Sequence, residues 1–252
     1  MRPEPYSWNS HIEVAAALAA LGLGYALAMR RHPAPPWRIA CFALGGALLL
    51  ATAVTPLDAL SYHLLVAHLL QNVVLAEWAP LLIVLGLPPA LAAALGAVPA
   101  VRPLTHPAVA LPLWLATYFL WHLPLAYDAA LEHDALLHLE HATYFVTGCL
   151  LWWPVIHDQP RRLQSSTRAV YLFAAFLLGS PLGLLLALLP EPVYAYYEEG
   201  ERLWGLSALM DQQIAGITMS AEQAVVFFAG FTLFFFRFMR EEEEREELEP
   251  TS

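Results

Sequence analysis

Two histidines and a carboxylate, His138, Glu140 and His141, stand in the first turns of the apolar stretch LLHLEHATYFVTGCLLWWPVI, residues 136–156. Ionisable side chains are costly within a membrane and are rare there unless they have partners or a function. Imidazole suits zinc, copper and iron, and carboxylates join it in many catalytic sites. These residue types therefore predict metal binding, provided that other helices bring ligands to the same level.

Helical periodicity indicates which side chains of this stretch act together. Asp134, His138 and His141 follow one another at i, i+4 and i+7, so they share one face of a helix. Glu140 is turned away from that face. It is expected either to line a contact with a neighbouring helix or to orient a histidine ring.

Three other segments supply similar groups. His68, Gln71 and Asn72 form an i, i+3, i+4 cluster, and His122 precedes a proline at the end of another apolar segment. Asp211, which could also cap its own helix, opens the last apolar segment. A methionine thioether would favour Cu(I). We predict four metal ligands: His68, His122, His138 and His141. Possible positioning partners are Gln71, Asn72, Asp134, Glu140, Asp211, Gln212 and Met219.

The elements that must position these groups are membrane spans. The chain has 252 residues, of which 59% are hydrophobic and 13% are charged, against about a quarter charged in soluble domains. A spanning helix needs about 20 mostly apolar residues. The sequence predicts an all-α, polytopic membrane protein, a bundle of seven transmembrane helices. The expected spans are 11–29, 37–55, 60–85, 107–127, 135–156, 168–190 and 212–239. The stretch 87–101 is expected to form an interfacial or loop helix.

The arginines predict the orientation of this bundle. With the N-terminus outside, ten of the twelve cationic residues fall on the cytosolic side and only Arg2 and Arg202 fall outside. The expected organisation is one domain, 1–240, followed by an acidic cytosolic tail, 241–252. This topology places seven of the ten histidines on the outer side: His11, His63, His68, His122, His133, His138 and His141.

Four blocks of the sequence resemble a known family. They are HLLQNVVLAEWAPLLIVLGLPP from His68, WHLPLAYDAAL from Trp121, LLHLEHATYFVTGCLLWWPVI from Leu136 and MDQQIAGITM from Met210. In this order they resemble the CtaG-type cytochrome c oxidase assembly factors, seven-span membrane proteins linked to copper-containing oxidases. The polar residues that match by position are His68, Gln71, His122, His138, Glu140, His141, Asp211 and Gln212.

The resemblance implies a non-catalytic role in oxidase maturation, with copper supplied or inserted at the outer face of a bacterial inner membrane. The implied partners are the lipid bilayer, cytochrome c oxidase subunits and other copper chaperones, with no nucleic acid. Two features depart from the family pattern. Asn72 stands where a histidine is usual after Gln71, and SAEQ follows Met219 where a Trp- and Pro-Gly-containing turn is expected.

Other functions remain open at this point. A membrane-embedded zinc hydrolase would need three ligands, an open coordination position and an acid or base. His138, His141, Asp134 and Glu140 could supply them. A haem b electron carrier would need axial histidines from two helices, and a copper permease would need polar groups across the whole membrane. The histidines could also act only as hydrogen-bonding contacts between helices.

Overall fold

The computed structural model describes residues 2–200 and 202–248, and within these ranges every regular element is a helix. Residues 249–252 of the expected acidic tail lie outside the described residues. We number the α-helices in chain order: α1 Ile12–Met29, α2 Pro36–Val54, α3 Pro56–Ser61, α4 Leu65–Val73, α5 Ala79–Gly86, α6 Pro89–Gly96, α7 Val101–Leu104, α8 Pro107–Trp121, α9 Pro124–Glu132, α10 Asp134–Ile156, α11 Ser165–Leu188, α12 Ala195–Glu198 and α13 Ala208–Leu248. A π-helical turn, Val74–Trp78, joins α4 to α5.

Among the described residues, five helices are long and apolar enough to cross a membrane: α1, α2, the continuous helix Leu65–Gly86, α11 and α13. The bent pair α8 and α9 makes a sixth if it is counted as one span. The helix α10 is long enough, with 23 residues, but it falls short of the same apolarity because its first turns carry His138, Glu140 and His141. The chain is thus a helical protein with several apolar, membrane-length helices.

Two of the expected spans are interrupted, one of them at a proline. The segment expected at 107–127 is two helices, α8 and α9, which meet at 73°. Leu123 is extended between them, as a residue that precedes a proline prefers. The segment expected at 60–85 starts instead with the separate helix α3, and Leu65–Gly86 follows it. The stretch 87–101 contains α6 and the start of α7, two short helices.

Small residues allow the helices that carry the site to approach closely. A Cβ atom added at Gly148 of α10 would overlap the carbonyl oxygen of Ala76 in the π-helical turn. A Cβ added at Gly183 of α11 would lie 2.9 Å from the carbonyl oxygen of Gly216 in α13. Such small-residue contacts are typical of helix packing in membranes. They bring α10 against the π-helical turn and α11 against α13.

The main apolar core lies where α4, α8, α10, α11 and α13 meet, around Trp114, Leu151 and Phe227, which are fully buried. The first helix is attached more loosely, and within its span only Tyr25 is buried. Its ring stacks on Phe42, with ring centroids 3.7 Å apart, and its hydroxyl donates to the Gly86 carbonyl at 2.9 Å. The helix α1 is therefore anchored at one end and leaves the other free to face α10.

Candidate metal centre

The structure brings together His68 of α4 with Glu140 and His141 of α10. One ligand atom from each lies within 4.8 Å of the other two. The Nε2 atom of His68 is 3.5 Å from Oε1 of Glu140, and the rings of His68 and His141 have centroids 6.4 Å apart. His68 and Glu140 are completely buried, whereas His141 is partly accessible. We call these three residues the inner cluster.

One amide side chain contacts the inner cluster directly. Asn72, one turn after His68, donates to Oε1 of Glu140 at 2.9 Å and so ties α4 to α10. Gln71 donates instead toward α2 and α3, to the carbonyl of Thr52 at 2.7 Å and to Oδ1 of Asp58 at 3.3 Å. Of the two predicted partners on α4, Asn72 therefore contacts the cluster and Gln71 connects α4 to its neighbours. The residue that stands where the family usually has a histidine, Asn72, fixes the carboxylate.

Several polar atoms of the inner cluster have no hydrogen-bond partner among the described residues. They are both ring nitrogens of His68, Nε2 of His141 and Oε2 of Glu140. Buried polar atoms are satisfied in most folded proteins, and each one left unpaired costs about 1–3 kcal/mol. Two imidazoles and a carboxylate form a ligand set used for zinc and suited to copper. A cation held by the three residues would satisfy one nitrogen of each imidazole and one oxygen of Glu140, and the second nitrogen of His68 would remain a donor.

His122, another of the four predicted ligands, lies beside the inner cluster and is not part of it. Its Nδ1 atom is 2.8 Å from the carbonyl oxygen of Tyr118 and 3.2 Å from the hydroxyl of Tyr144. The ring of Tyr127 stands 4.8 Å from the His68 ring and 6.0 Å from the His122 ring, measured between centroids. The Nε2 atom of His122 is buried and unpaired among the described residues. Aromatic side chains thus lie beside the inner cluster. Tyr127 is not among the residues that the sequence predicts.

The fourth predicted ligand, His138, belongs to a different group. Its Nε2 atom is 3.8 Å from Oε1 of Glu13, which is also 3.0 Å from Nδ1 of His11. These three residues each offer a ligand atom within 4.8 Å of the others. Periodicity placed His138 and His141 on one face with Asp134, and all three do line one cavity of about 680 Å³. The carboxylate of Glu13 in α1, however, pairs with His138, whereas His141 belongs to the inner cluster.

The residues predicted at the start of the last span hold the backbone in place. Asp211 accepts hydrogen bonds from the amides of Leu65 at 2.6 Å and Val66 at 3.0 Å, so its carboxylate caps α4. Gln212 accepts from the Val193 amide at 2.7 Å and donates to the carbonyls of Leu186 and Glu191. Met219 is buried in the apolar core. Asp211 belongs to neither group of histidine and carboxylate ligands found among the described residues, and Met219 lies beside Leu69, Leu70 and Val73 of α4.

A second buried polar group lies further along the same helices. Gln223 of α13 donates to Oε1 of Glu77 and to the hydroxyl of Tyr118, both at 3.0 Å. Glu222 accepts from the indole of Trp78. Glu77 is 1% exposed, so its carboxylate is buried between the helices. Glu77 lies in the π-helical turn, which could not be predicted from the sequence.

Comparisons with known proteins give the chain a family. The family model "Cytochrome c oxidase caa3 assembly factor (Caa3_CtaG)" matches residues 21–241. Relatives include the uncharacterized proteins Mb0105 of Mycobacterium bovis and MT0111 of Mycobacterium tuberculosis, each 25% identical over 236 residues. The alignment covers 83% of this chain and 36% of each relative, so the chain spans about a third of their length. No solved structure matches. The extent of the family match shows that this chain belongs to the cytochrome c oxidase caa3 assembly factor family.

Proposed function

We propose that this assembly factor holds a copper ion for a haem-copper cytochrome c oxidase and releases it at the outer face of a bacterial inner membrane. The observation that carries the proposal is the inner cluster, with buried imidazole and carboxylate atoms that lack partners among the described residues. Copper is the cargo here, so the protein needs no catalytic base. What it needs is a site that binds the ion and lets it go.

The ligand chemistry supports an exchangeable site. Two imidazoles and one carboxylate leave a coordination position open to water or to a ligand from a partner. His141 lines the 680 Å³ cavity, which offers a route to and from the inner cluster. The thioether of Met219 lies elsewhere in the fold, which leaves a nitrogen and oxygen set. Nitrogen and oxygen atoms are harder ligands, in the sense of hard and soft acids and bases, than the sulfur atoms of a methionine-rich site. Such a set favours Cu(II) over Cu(I).

The proposed topology has seven crossings, with the N-terminus outside and the C-terminus in the cytosol. In this arrangement α10 crosses as well, and its polar first turns lie near the outer interface, where water reduces the cost of burying them. The bent pair α8 and α9 counts as one crossing. The ten-to-two division of arginines supports this orientation. We further propose one domain, 1–240, with the charged end of α13 in the cytosol, and oxidase subunits and other copper chaperones as partners.

The test is a complementation experiment in a deletion strain. We expect His68→Ala and His141→Ala chains, at wild-type abundance in the membrane, to leave oxidase activity and oxidase copper content at the level of the deletion. The matched control is His133→Ala, because His133 is an exposed histidine outside both groups of candidate ligands. Normal oxidase copper in the His68→Ala and His141→Ala strains would overturn copper delivery. A normal oxidase in the deletion strain would overturn the assembly role in that organism.

One observation favours a second candidate, a zinc-dependent hydrolase. Two histidines and a glutamate are also a ligand set of catalytic zinc, and Asp58 and Asp134 line the same cavity as His141. A hydrolase would carry zinc when purified from its own membranes, and its deletion would leave oxidase copper unchanged. Metal analysis of the protein purified from its own membranes, together with the oxidase readout, separates the two functions.

A further inference from the structure

We propose that His11, Glu13 and His138 form a second metal site at the mouth of the cavity, where copper is captured before it reaches the inner cluster. This inference rests on the proposed copper function and deepens it. The three residues are here called the outer cluster. The Oε1 atom of Glu13 lies 3.0 Å from Nδ1 of His11 and 3.8 Å from Nε2 of His138, so one carboxylate oxygen faces two imidazoles.

The outer cluster brings three possible ligand atoms within reach of one ion. The rings of His11 and His138 lie with centroids 6.2 Å apart and planes at 89°, so they do not stack. A ligand nitrogen or oxygen atom from each of the three residues falls within 4.8 Å of the other two. Metal–ligand distances of about 2.0–2.2 Å place such atoms roughly 3–4 Å apart around one ion. Small side-chain rotations are enough to close the set.

The cavity supplies an independent observation. Its wall includes His11, Glu13 and His138 of the outer cluster and also His141 of the inner cluster and Gln71, which flanks it. The outer cluster is partly or fully exposed, and the inner cluster is mostly buried. An ion that enters from the outer side therefore meets the exposed ligands first and has a continuous space toward the buried ones.

Asp58 lines the same cavity and lies between His11 of the outer cluster and Gln71 of α4, the helix that carries His68. It is 4% exposed, and its two oxygens face in different directions. Oδ2 lies 3.2 Å from Nε2 of His11, and Oδ1 accepts a hydrogen bond from Gln71 at 3.3 Å. A buried carboxylate between two histidine-containing groups is a stepping point for a cation. The transfer is a ligand exchange, in which oxygen and nitrogen ligands replace one another around the ion and no change in oxidation state occurs.

The attachment of α1 suits a capture role. Within its span only Tyr25 is buried, and His11 and Glu13 lie at the opposite end of the helix. Substitutions at that end remove no core packing, so the variants are expected to fold. This makes the proposal testable with the complete chain.

The experiment is a titration of the full-length protein, purified in detergent, with copper(II) sulfate, followed by metal analysis after gel filtration and by electron paramagnetic resonance. We expect two ions per wild-type chain and one per chain in each of His11→Ala, His138→Ala and His141→Ala. The spectrum lost in the first two variants should be the same, and that lost in the third should differ. The double variant His11→Ala/His141→Ala should bind none, and His133→Ala should bind two.

Several results would overturn the inference. One ion in the wild type that is lost in His141→Ala but kept in His11→Ala would remove the outer cluster and leave the proposed function intact. One ion lost in all three single variants would mean a single shared site. No ion in the wild type would overturn both the inference and the copper part of the proposed function, and the oxidase phenotype of the deletion would then decide the assembly role separately.

Discussion

Replacement of Asp211 by alanine tests whether this carboxylate supports the site or belongs to it. In the structure it accepts the amides of Leu65 and Val66 at the start of α4, the helix that carries His68. Alanine leaves these two amides without a partner. A buried donor left unpaired costs about 1–3 kcal/mol. Because Leu65 is buried and Val66 is only partly so, we expect a loss of about 3 kcal/mol in the free energy of unfolding.

The assay is thermal unfolding of the purified protein in detergent, in which about 3 kcal/mol corresponds to a decrease of roughly 6–12 °C in Tm for a chain of this size. Asp211→Asn keeps one acceptor and should lose only about 1 kcal/mol. The control is Asp134→Ala, since Asp134 is exposed, and it should change the stability by less than about 0.5 kcal/mol. Unchanged stability in Asp211→Ala, combined with lost metal binding, would refute the capping role and make Asp211 a ligand.

Three further predictions follow from the same packing. Gly148→Ala forces a methyl group onto the carbonyl of Ala76 and should lower stability by about 1–3 kcal/mol, measured by thermal unfolding; an unaltered Tm would contradict the helix crossing. Asn72→Leu removes the hydrogen bond to Glu140 and should weaken copper binding about 10–100-fold in a chelator competition, whereas equal affinity would show that the amide positions nothing. Burial lowers the pKa of His157 to about 4 from its ordinary 6.5, so the unfolded chain takes up this proton more readily. Stability should therefore be full above pH 6.5 and fall by about 2 kcal/mol by pH 5, and a His157→Asn chain with the same pH profile would contradict this.

The helices of this protein could be predicted from apolar runs, because length and composition alone decide them. The span expected at 135–156 is the helix Asp134–Ile156, and the one expected at 37–55 is Pro36–Val54. The 73° bend at Leu123 was not predicted, although Pro124 marks its position. A proline indicates that a helix is interrupted, but the direction in which the chain continues depends on what the next helix packs against.

The candidate site was predictable in its residue types and less so in its grouping. Periodicity correctly placed His138 and His141 on one side of α10. Periodicity could not show that Glu13 of α1 pairs with His138 and not with His141, because it describes one helix and not the neighbours of that helix. Glu140 was expected to orient a ring or to line a helix contact, and its carboxylate lies within the cluster itself. Tyr127 was not identified, since an aromatic residue in an apolar segment carries no distinctive signal.

The π-helical turn Val74–Trp78 lies between two polar residues of the continuous helix Leu65–Gly86, Asn72 and Glu77. It sets the angle between these two residues around the helix axis. In a regular α-helix, Asn72 and Glu77 would point about 140° apart, at about 100° per residue. The extra residue absorbed by the π turn reduces this to roughly 40°. Asn72 then reaches Glu140 of α10, while the Glu77 carboxylate accepts from Gln223 of α13 and the Glu77 carbonyl accepts from Trp152 of α10. Deleting one residue here would give a more regular helix with better hydrogen bonds. It would also rotate Asn72 and Glu77 relative to each other by about 100°, so the two residues could not both keep these partners.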